Sequence, residues 1–367
     1  MTLHIFNPEH DIALASGLDN FTAPHAGRQL RHDLGWLPAL WAQKDDYILV
    51  DDADFAYRKA SKHKPLSSCG RVTYECRQFL TWKHSESLRN IDRIEVWGWD
   101  SAIKSHLQRI GISEQLLPSH QQLEEIRLLS HRRTSARLLT SLCGTLKDLR
   151  LVGEAQECTS TEEIDAGIER WKTIVLKAPW SSSGRGIRFI NEKKSASVEG
   201  WIRNLLSHQG SIMMEPYYNK VKDFGMEFMA DGNGNISYLG LSLFHTANGA
   251  YQGNLLATEQ RKRTEMSNYI PSETLDTVER TICQQLGSII GNRHEGPFGI
   301  DMMVVGSDNA DEGFLLHPCV EINLRRTMGH AALALTRLVN PNNDDDVMRV
   351  MRIVYEDNQY KLKIEKL

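Results

Sequence analysis

Pro297-Phe298-Gly299-Ile300-Asp301-Met302-Met303-Val304-Val305 and, beyond a polar loop from Gly306 to Gly313, Val320-Glu321-Ile322-Asn323-Leu324-Arg325 decide how this chain is read. The two apolar runs on either side of that loop predict a hairpin, with strands through Asp301 and from Phe314 to Leu324. Strand side chains alternate between faces, so Glu321 and Asn323 point the same way. Asp301 sits inside an apolar run, where an unpaired carboxylate is costly. Two carboxylates and an amide oxygen aimed at one point suit a hard cation of the kind that accompanies nucleotide phosphates, Mg²⁺ above all. Phosphate chemistry is the first expectation.

Upstream, Ile174-Val175-Leu176-Lys177-Ala178-Pro179-Trp180 runs into Ser181-Ser182-Ser183-Gly184-Arg185-Gly186-Ile187. A strand from Thr173 to Trp180 delivers a lysine directly into a loop of small residues. Glycine lets backbone approach a phosphate, serine adds hydroxyl donors and Lys177 adds charge. The loop lacks the GxxxxGK[ST] pattern of a P-loop and the GxGxxG of a dinucleotide fold. Read alone, it is more simply an ordinary serine–glycine turn, and the preceding lysine and the downstream carboxylate strands favour the phosphate reading. Ser211-Ile212-Met213-Met214-Glu215-Pro216-Tyr217-Tyr218 ends an apolar strand with an acid and a proline, an end suited to a purine edge. Asp223 follows and could accept from ribose hydroxyls. The alternatives are a surface carboxylate at Glu215 and a turn residue at Asp223.

The 367 residues predict two or three domains. Hydrophobic residues at 41% and charged residues at 25% are those of a soluble globular chain. A net charge of -4 gives no basic excess for nucleic acid. No run approaches the roughly 18 apolar residues of a membrane helix. Six cysteines show no CxxC, zinc or disulfide spacing, so reduced thiols in a cytoplasmic protein are expected.

Leu3-His4-Ile5-Phe6, Tyr47-Ile48-Leu49-Val50 and Ile94-Glu95-Val96-Trp97 read as strands of a parallel α/β unit, with a helix from Ser101 to Ile110. Ligands of such a unit face the carboxyl ends of its strands. Asn7-Pro8-Glu9-His10-Asp11 and His25-Ala26-Gly27-Arg28 are therefore candidate substrate loops, with capping turns as the alternative. Thr159-Ser160-Thr161-Glu162-Glu163 predicts a capped helix start. Asp231-Gly232-Asn233-Gly234 predicts a hairpin between two strands, and Thr274 to Ile290 a helix. Phe244 to Asn254 reads as a polar and aromatic loop in which His245, Tyr251 and Asn254 could line an acceptor pocket. The charged end after Pro341 reads as solvated.

Taken in order, a basic helix, the strand–Lys–Ser/Gly loop, the strand–Glu hinge, a carboxylate strand, the Asp301 strand and Glu-x-Asn resemble the ATP-grasp superfamily over about residues 120 to 340. The resemblance implies α/β and α+β architecture, with an N-terminal parallel α/β domain (1–120) before a two-lobed ATP-grasp fold. Lobe A (121–210) would carry the phosphate loop, lobe B (211–340) the metal site, and 341–367 the C-terminal tail. It implies ATP and Mg²⁺ as cofactors, with Mn²⁺ as an alternative ion. Lys177 would contact the α/β-phosphates, and the loop with Ser182, Ser183, Gly184 and Gly186 would close over the triphosphate. Glu215 would mark the adenine hinge and Asp223 the ribose, while Asp301, Glu321 and Asn323 would hold metal. The family's earlier basic position, usually lysine, matches Arg132 best, with Arg133 a close competitor and a solvated helix face the plain alternative.

One departure stands out. Many such ligases carry a basic residue two before the first metal aspartate, where this chain has Gly299. Arg325 or Arg326 could supply that charge, and Arg325 shares the face of Glu321 and Asn323 if the strand continues. The resemblance implies a carboxylate–amine ligase working through an acyl phosphate, on small-molecule carboxylate and amine substrates such as amino acids or peptides, without nucleic acid or membrane; a homo-oligomer is compatible with it. A phosphotransferase on a small acceptor and an ATP-binding protein without turnover are the alternatives.

Overall fold

Short apolar runs closed by Asn, Pro, Asp and Gly make the first strands. The computed structural model describes residues 1–62, 78–83, 88, 90–181, 186–247, 250–307 and 313–367. Two compact units divide the chain. The first comprises Met1–Arg127, Gln252–Lys262 and Arg325–Leu367, the second Leu128–Tyr251 and Arg263–Leu324.

The chain opens with β1 (Thr2–Ile5), α1 (His10–Ser16), α2 (His25–Leu34), β2 (Tyr47–Val50), α3 (Ala53–Lys62), β3 (Phe79–Thr81), β4 (Arg93–Val96), α4 (Ser101–Arg109) and α5 (His120–Leu129). The four strands form a parallel sheet in the order β3-β2-β1-β4, as the alternation of strand and helix predicts. Leu3, Ile5, Leu49, Ile94 and Val96 pack with Ile103 and Leu107 of α4 into its core. Asp100 starts α4 by accepting from the Ile103 amide at 2.9 Å.

Next come α6 (Arg132–Thr145), β5 (Gln156–Cys158), α7 (Thr161–Trp171), β6 (Thr173–Lys177), β7 (Ile187–Asn191), α8 (Ala196–Gln209) and β8 (Ile212–Pro216). Their strands form an antiparallel sheet ordered β5-β8-β6-β7. The expected cap of α7 is a reciprocal box, Ser160 accepting from the Glu163 amide and Glu163 from that of Ser160.

The chain continues through β9 (Lys220–Asp231), β10 (Ile236–Ser242), β11 (Phe244–Ala247), β12 (Ala250–Leu256), α9 (Glu259–Met266), α10 (Ser272–Ile290), β13 (Glu295–Gly306) and β14 (Phe314–Asn323). Strands β10-β9-β13-β14 form a second antiparallel sheet of the second unit. One of its faces is apolar: Phe224, Met226, Phe228, Phe298, Ile300 and Met302 are buried, and the Phe228 and Phe298 rings stack at 5.3 Å. Each such side chain contributes roughly 1.5–3 kcal/mol on full burial. Helix α10 packs against β10 and α6 against β14. The stretch from Phe244 to Asn254, expected as a loop, lies largely in β11 and β12, where a polar composition hides the strands.

Helix α11 (Met328–Val339), β15 (Arg349–Glu356) and β16 (Gln359–Lys366) complete the first unit. Residues beyond Pro341 are therefore not a solvated end. Strands β15 and β16 pair from Arg349↔Lys366 to Glu356↔Gln359, and β15 pairs with β12. The turn is Asp357-Asn358, both left-handed at φ 51° and 58°, as a type I′ hairpin requires. The backbone amide of Tyr360 donates to Asp33 at 2.8 Å, and Lys59 donates to Gln359 at 2.9 Å. Among the described residues no helix is long and apolar enough to cross a membrane. The described cysteines, Cys143, Cys158, Cys283 and Cys319, are free; Cys69 and Cys76 lie outside the described residues.

Candidate functional site

Register in the β9-β13-β14 sheet places the charged residues of the second unit. Asp301 of β13 pairs with Glu321 of β14 and Gly225 of β9; Gly299 pairs with Asn323 and Glu227; Met303 pairs with Asp223 and His317. Paired residues share a face, so Asp223, Glu227, Asp301, Glu321 and Asn323 stand on the side opposite the phenylalanines. Asn323 donates from Nδ2 to Asp301 Oδ2 at 3.1 Å. A Cβ added to Gly225 would lie 3.6 Å from Asp301 Oδ1, so glycine there leaves the carboxylate room.

Arg132, 6% exposed at the start of α6, ties this face to the end of β6. Its guanidinium meets Glu321 Oε1 at 2.7 Å, Ser181 Oγ at 2.8 Å and the Ala178 carbonyl. Arg133 is more exposed and pairs instead with Glu157 at 2.8 Å. Of the two candidate arginines, Arg132 is the one that reaches a candidate metal ligand. Nothing in local sequence separates them; burial on the helix face does.

Lys177 and Glu215 sit on adjacent strands, with Val175 opposite Glu215, and alternation brings them to one side. Each is 7% exposed, and Lys177 Nζ donates to Glu215 Oε2 at 2.6 Å. Glu215 is thus not a surface carboxylate. Gly186 follows directly after the loop: a Cβ there would come 2.4 Å from Ser181 Oγ, so only glycine fits. Ser182, Ser183 and Gly184 lie outside the described residues. Asp223 lies within β9 rather than in a turn, and pairs with Lys220 Nζ at 2.5 Å and with the Thr246 hydroxyl.

Glu227 escaped individual notice in the sequence. It is 4% exposed on the carboxylate face. Its place in an apolar run, four residues after Asp223 and so on the same strand face, was the available signal. Tyr251, a candidate acceptor contact, is held protonated by burial first and by the nearby Glu227 charge second.

Asp301, Glu321 and Asn323 are the residues that could hold a Mg²⁺ ion. Among the described residues no group of three or more His, Cys, Asp and Glu is arranged to hold a metal. Two carboxylates and an amide fall outside such groups, yet Mg²⁺ typically takes only one or two carboxylates beside phosphate and water. A half-turn of the Asn323 amide presents its oxygen, and amide orientation is set by the network around it.

The first unit has its own charged cluster at the carboxyl ends of β1, β2 and β4. Asn7 Nδ2 donates to the Gly98 carbonyl at 2.8 Å, and His10 Nδ1 lies 3.2 Å from Asp100 Oδ2. Glu9 pairs with Arg31, which also reaches Asp51 at 3.5 Å. Burial, outweighing the Arg31 charge, pushes the Glu9 carboxyl above its usual range. Helix α2 begins at His25, so His25 to Arg28 form a helix start rather than an open loop. Strand β14 ends at Asn323, short of Arg325, so the shared face does not extend to it. Arg325 grips Asp11 through Nε at 2.9 Å and Nη2 at 2.8 Å, and Arg326 pairs with Glu95 at 3.2 Å.

No protein-family model matches the chain, and no curated protein matches it. Solved structures do. A phosphoribosylamine–glycine ligase from Thermotoga maritima is 15% identical, with a TM-score of 0.54 over 98% of this chain and 82% of that one. A biotin carboxylase from Campylobacter jejuni, in a β-γ-ATP complex, is 12% identical, with a TM-score of 0.53 over 97% of this chain and 76% of that one. At such identities the likeness is one of architecture: the chain shares its mixed α/β fold with these two enzymes.

Proposed function

We propose that the chain is an ATP-dependent carboxylate–amine ligase. The observation that carries this reading is the Asp301–Glu321 cross-strand pair, joined by Asn323 and bound through Arg132 to the end of the Lys177 strand. Arg132 thus joins a hard-cation donor set to the strand end that carries Lys177. The names of the two structures of like fold, a ligase of an amine with glycine and a carboxylase held with an ATP compound, are compatible with it.

In this reading Lys177 and the Ser181–Gly186 loop bind the phosphates, Glu215 and the strand end beside it take the adenine, and Asp223 takes the ribose. Arg132 orients Glu321 and adds charge at the phosphate end. Asp301, Glu321 and Asn323 would hold Mg²⁺, which would supply neutralisation of phosphate charge. A substrate carboxylate oxygen attacks the γ-phosphorus as its bond to the β-γ bridging oxygen breaks, giving an acyl phosphate and ADP. An amine nitrogen then attacks the acyl carbon, phosphate leaves and the nitrogen loses a proton. The chain contributes positioning and charge, and no protein nucleophile is needed. Arg325 is the proposed source of positive charge in the transfer, with Asp11 fixing its plane.

A MgATP-dependent screen of amino acids and small peptides, reading phosphate release and product mass, tests the proposal. ADP and phosphate formation that requires both a carboxylate and an amine is expected. A phosphorylated product without condensation would instead make the chain a phosphotransferase, and MgATP binding without turnover across the panel would make it a nucleotide-binding protein.

A further inference from the structure

Arg132, at the start of α6 in the second unit, joins two parts of the proposed site that serve opposite charges. Nη2 meets Glu321 Oε1 at 2.7 Å, while Nη1 donates to Ser181 Oγ at 2.8 Å and to the Ala178 carbonyl, both just beyond β6. The Arg132 amide also donates to the Pro179 carbonyl at 3.2 Å, so the helix start is fixed to the same segment. The arginine side chain is 6% exposed and that of Glu321 27%, which leaves the carboxylate within reach of a ligand from solvent.

Those contacts set up a competition. Carboxylate oxygens hold Mg²⁺ at roughly 2 Å, which would bring a divalent ion on Glu321 within about 6 Å of the guanidinium. The two cations repel, and the charge-assisted bond from Arg132 weakens the carboxylate as a donor to metal. Asp301, opposite Glu321 in the ladder, meets the neutral amide of Asn323, which sets no such charge against an ion. A polyphosphate changes the balance. Its oxygens attract the guanidinium at the Ser181 end and the ion at the Glu321 end, so one anion relieves the repulsion between two cations. Metal and polyphosphate then strengthen each other's binding by the same factor.

We propose that Arg132 makes metal binding at Asp301 and Glu321 conditional on polyphosphate: it competes with a bare divalent ion for Glu321 and cooperates with an ion that arrives with phosphate. The inference rests on the ATP-site reading above and adds what regulates its metal.

Mn²⁺ titrations of the full chain read by electron paramagnetic resonance, beside calorimetry with MgATP and Mg-tripolyphosphate, test this on wild type, Arg132→Gln and Arg132→Lys. Arg132→Gln should tighten bare Mn²⁺ about tenfold and weaken Mg-tripolyphosphate about tenfold, opposite signs that a loss of structure would not give. Adding Asp301→Asn should abolish the gain in Mn²⁺ affinity, which assigns it to this site. Arg132→Lys, which keeps the charge, should stay closer to wild type in both. Arg132→Met fills the same buried space without charge and carries the test if the glutamine variant does not fold. Bare Mn²⁺ affinity that is unchanged or weaker in a folded neutral variant, or a gain that survives Asp301→Asn, overturns the inference alone. A wild-type chain that binds neither MgATP nor Mg-tripolyphosphate overturns the nucleotide site and the inference with it.

Discussion

The two charged clusters of this chain are built on opposite terms. In the first unit, loop residues neutralise one another: Asp11 meets Arg325, Glu9 meets Arg31 and His10 meets Asp100. In the second, strand register sets Asp301 directly opposite Glu321, with Glu227 buried on the same face. Like charges directly across a sheet are destabilising, and loops can rearrange to avoid them where a paired ladder cannot. A cluster that satisfies itself is explained by structure. A cluster that forces carboxylates together is explained by a cation, here Arg132 and the proposed Mg²⁺.

That contrast can be broken at several points. The largest effect is expected for Asp301→Asn, which should lower MgATP turnover by on the order of a hundredfold or more while raising thermal stability slightly, because it removes one of two facing charges. Turnover and a melting curve check both signs, and an unchanged rate would return the face to a structural role. Lys177→Ala should weaken MgATP binding about tenfold or more by calorimetry. It should also lower the melting temperature, because Glu215 would remain buried without its partner. Arg325→Ala should reduce turnover about tenfold or more with MgATP affinity unchanged, measured as kcat beside Kd. Equal losses in rate and in stability would place Arg325 with the self-neutralising cluster instead.

The smallest effect concerns Asp46 in the first unit. Burial opposes its ionisation, but hydrogen bonds from His4 and the backbone amides of Thr2 and Gln43 outweigh that and hold the carboxyl below its usual range. Its folded pKa being the lower, its stabilisation is complete above the ordinary aspartate value of about 4 and is lost as pH falls through the folded value. Asp46→Asn should flatten the acid limb of unfolding, followed by circular dichroism, and leave MgATP turnover unchanged.

Local patterns carried much of this into the sequence. Parity along β9, β13 and β14 makes the Asp301–Glu321–Asn323 grouping legible, because alternation is a property of any extended strand. The capping box of α7 and the Asp231–Gly234 hairpin are legible because each is written within a few consecutive residues. Long-range choices are not. Arg132 differs from Arg133 only in which way α6 turns it, and Arg325 leaves the strand face because β14 stops at Asn323. The register shift between Asp301 and Met303, which brings His317 opposite Met303, also depends on the partner strand. The closing hairpin was obscured by its charges. Arg349, Arg352, Lys361 and Lys363 suggest solvent, whereas Asp357-Asn358, residue types that tolerate the left-handed turn conformation, were the better sign.

That hairpin bears on how the chain is made. Helix α2 near the amino terminus packs on β16, and Asp33 receives the amide of Tyr360. The first unit is therefore built from segments on both sides of the second, whose Leu128–Tyr251 and Arg263–Leu324 are synthesised in between. Its parallel strands are available early, but its β12-β15-β16 ladder waits for residues 349–366. During synthesis this unit is begun before the second and completed after it, and a chain cut before Gln359 lacks the strand on which α2 rests.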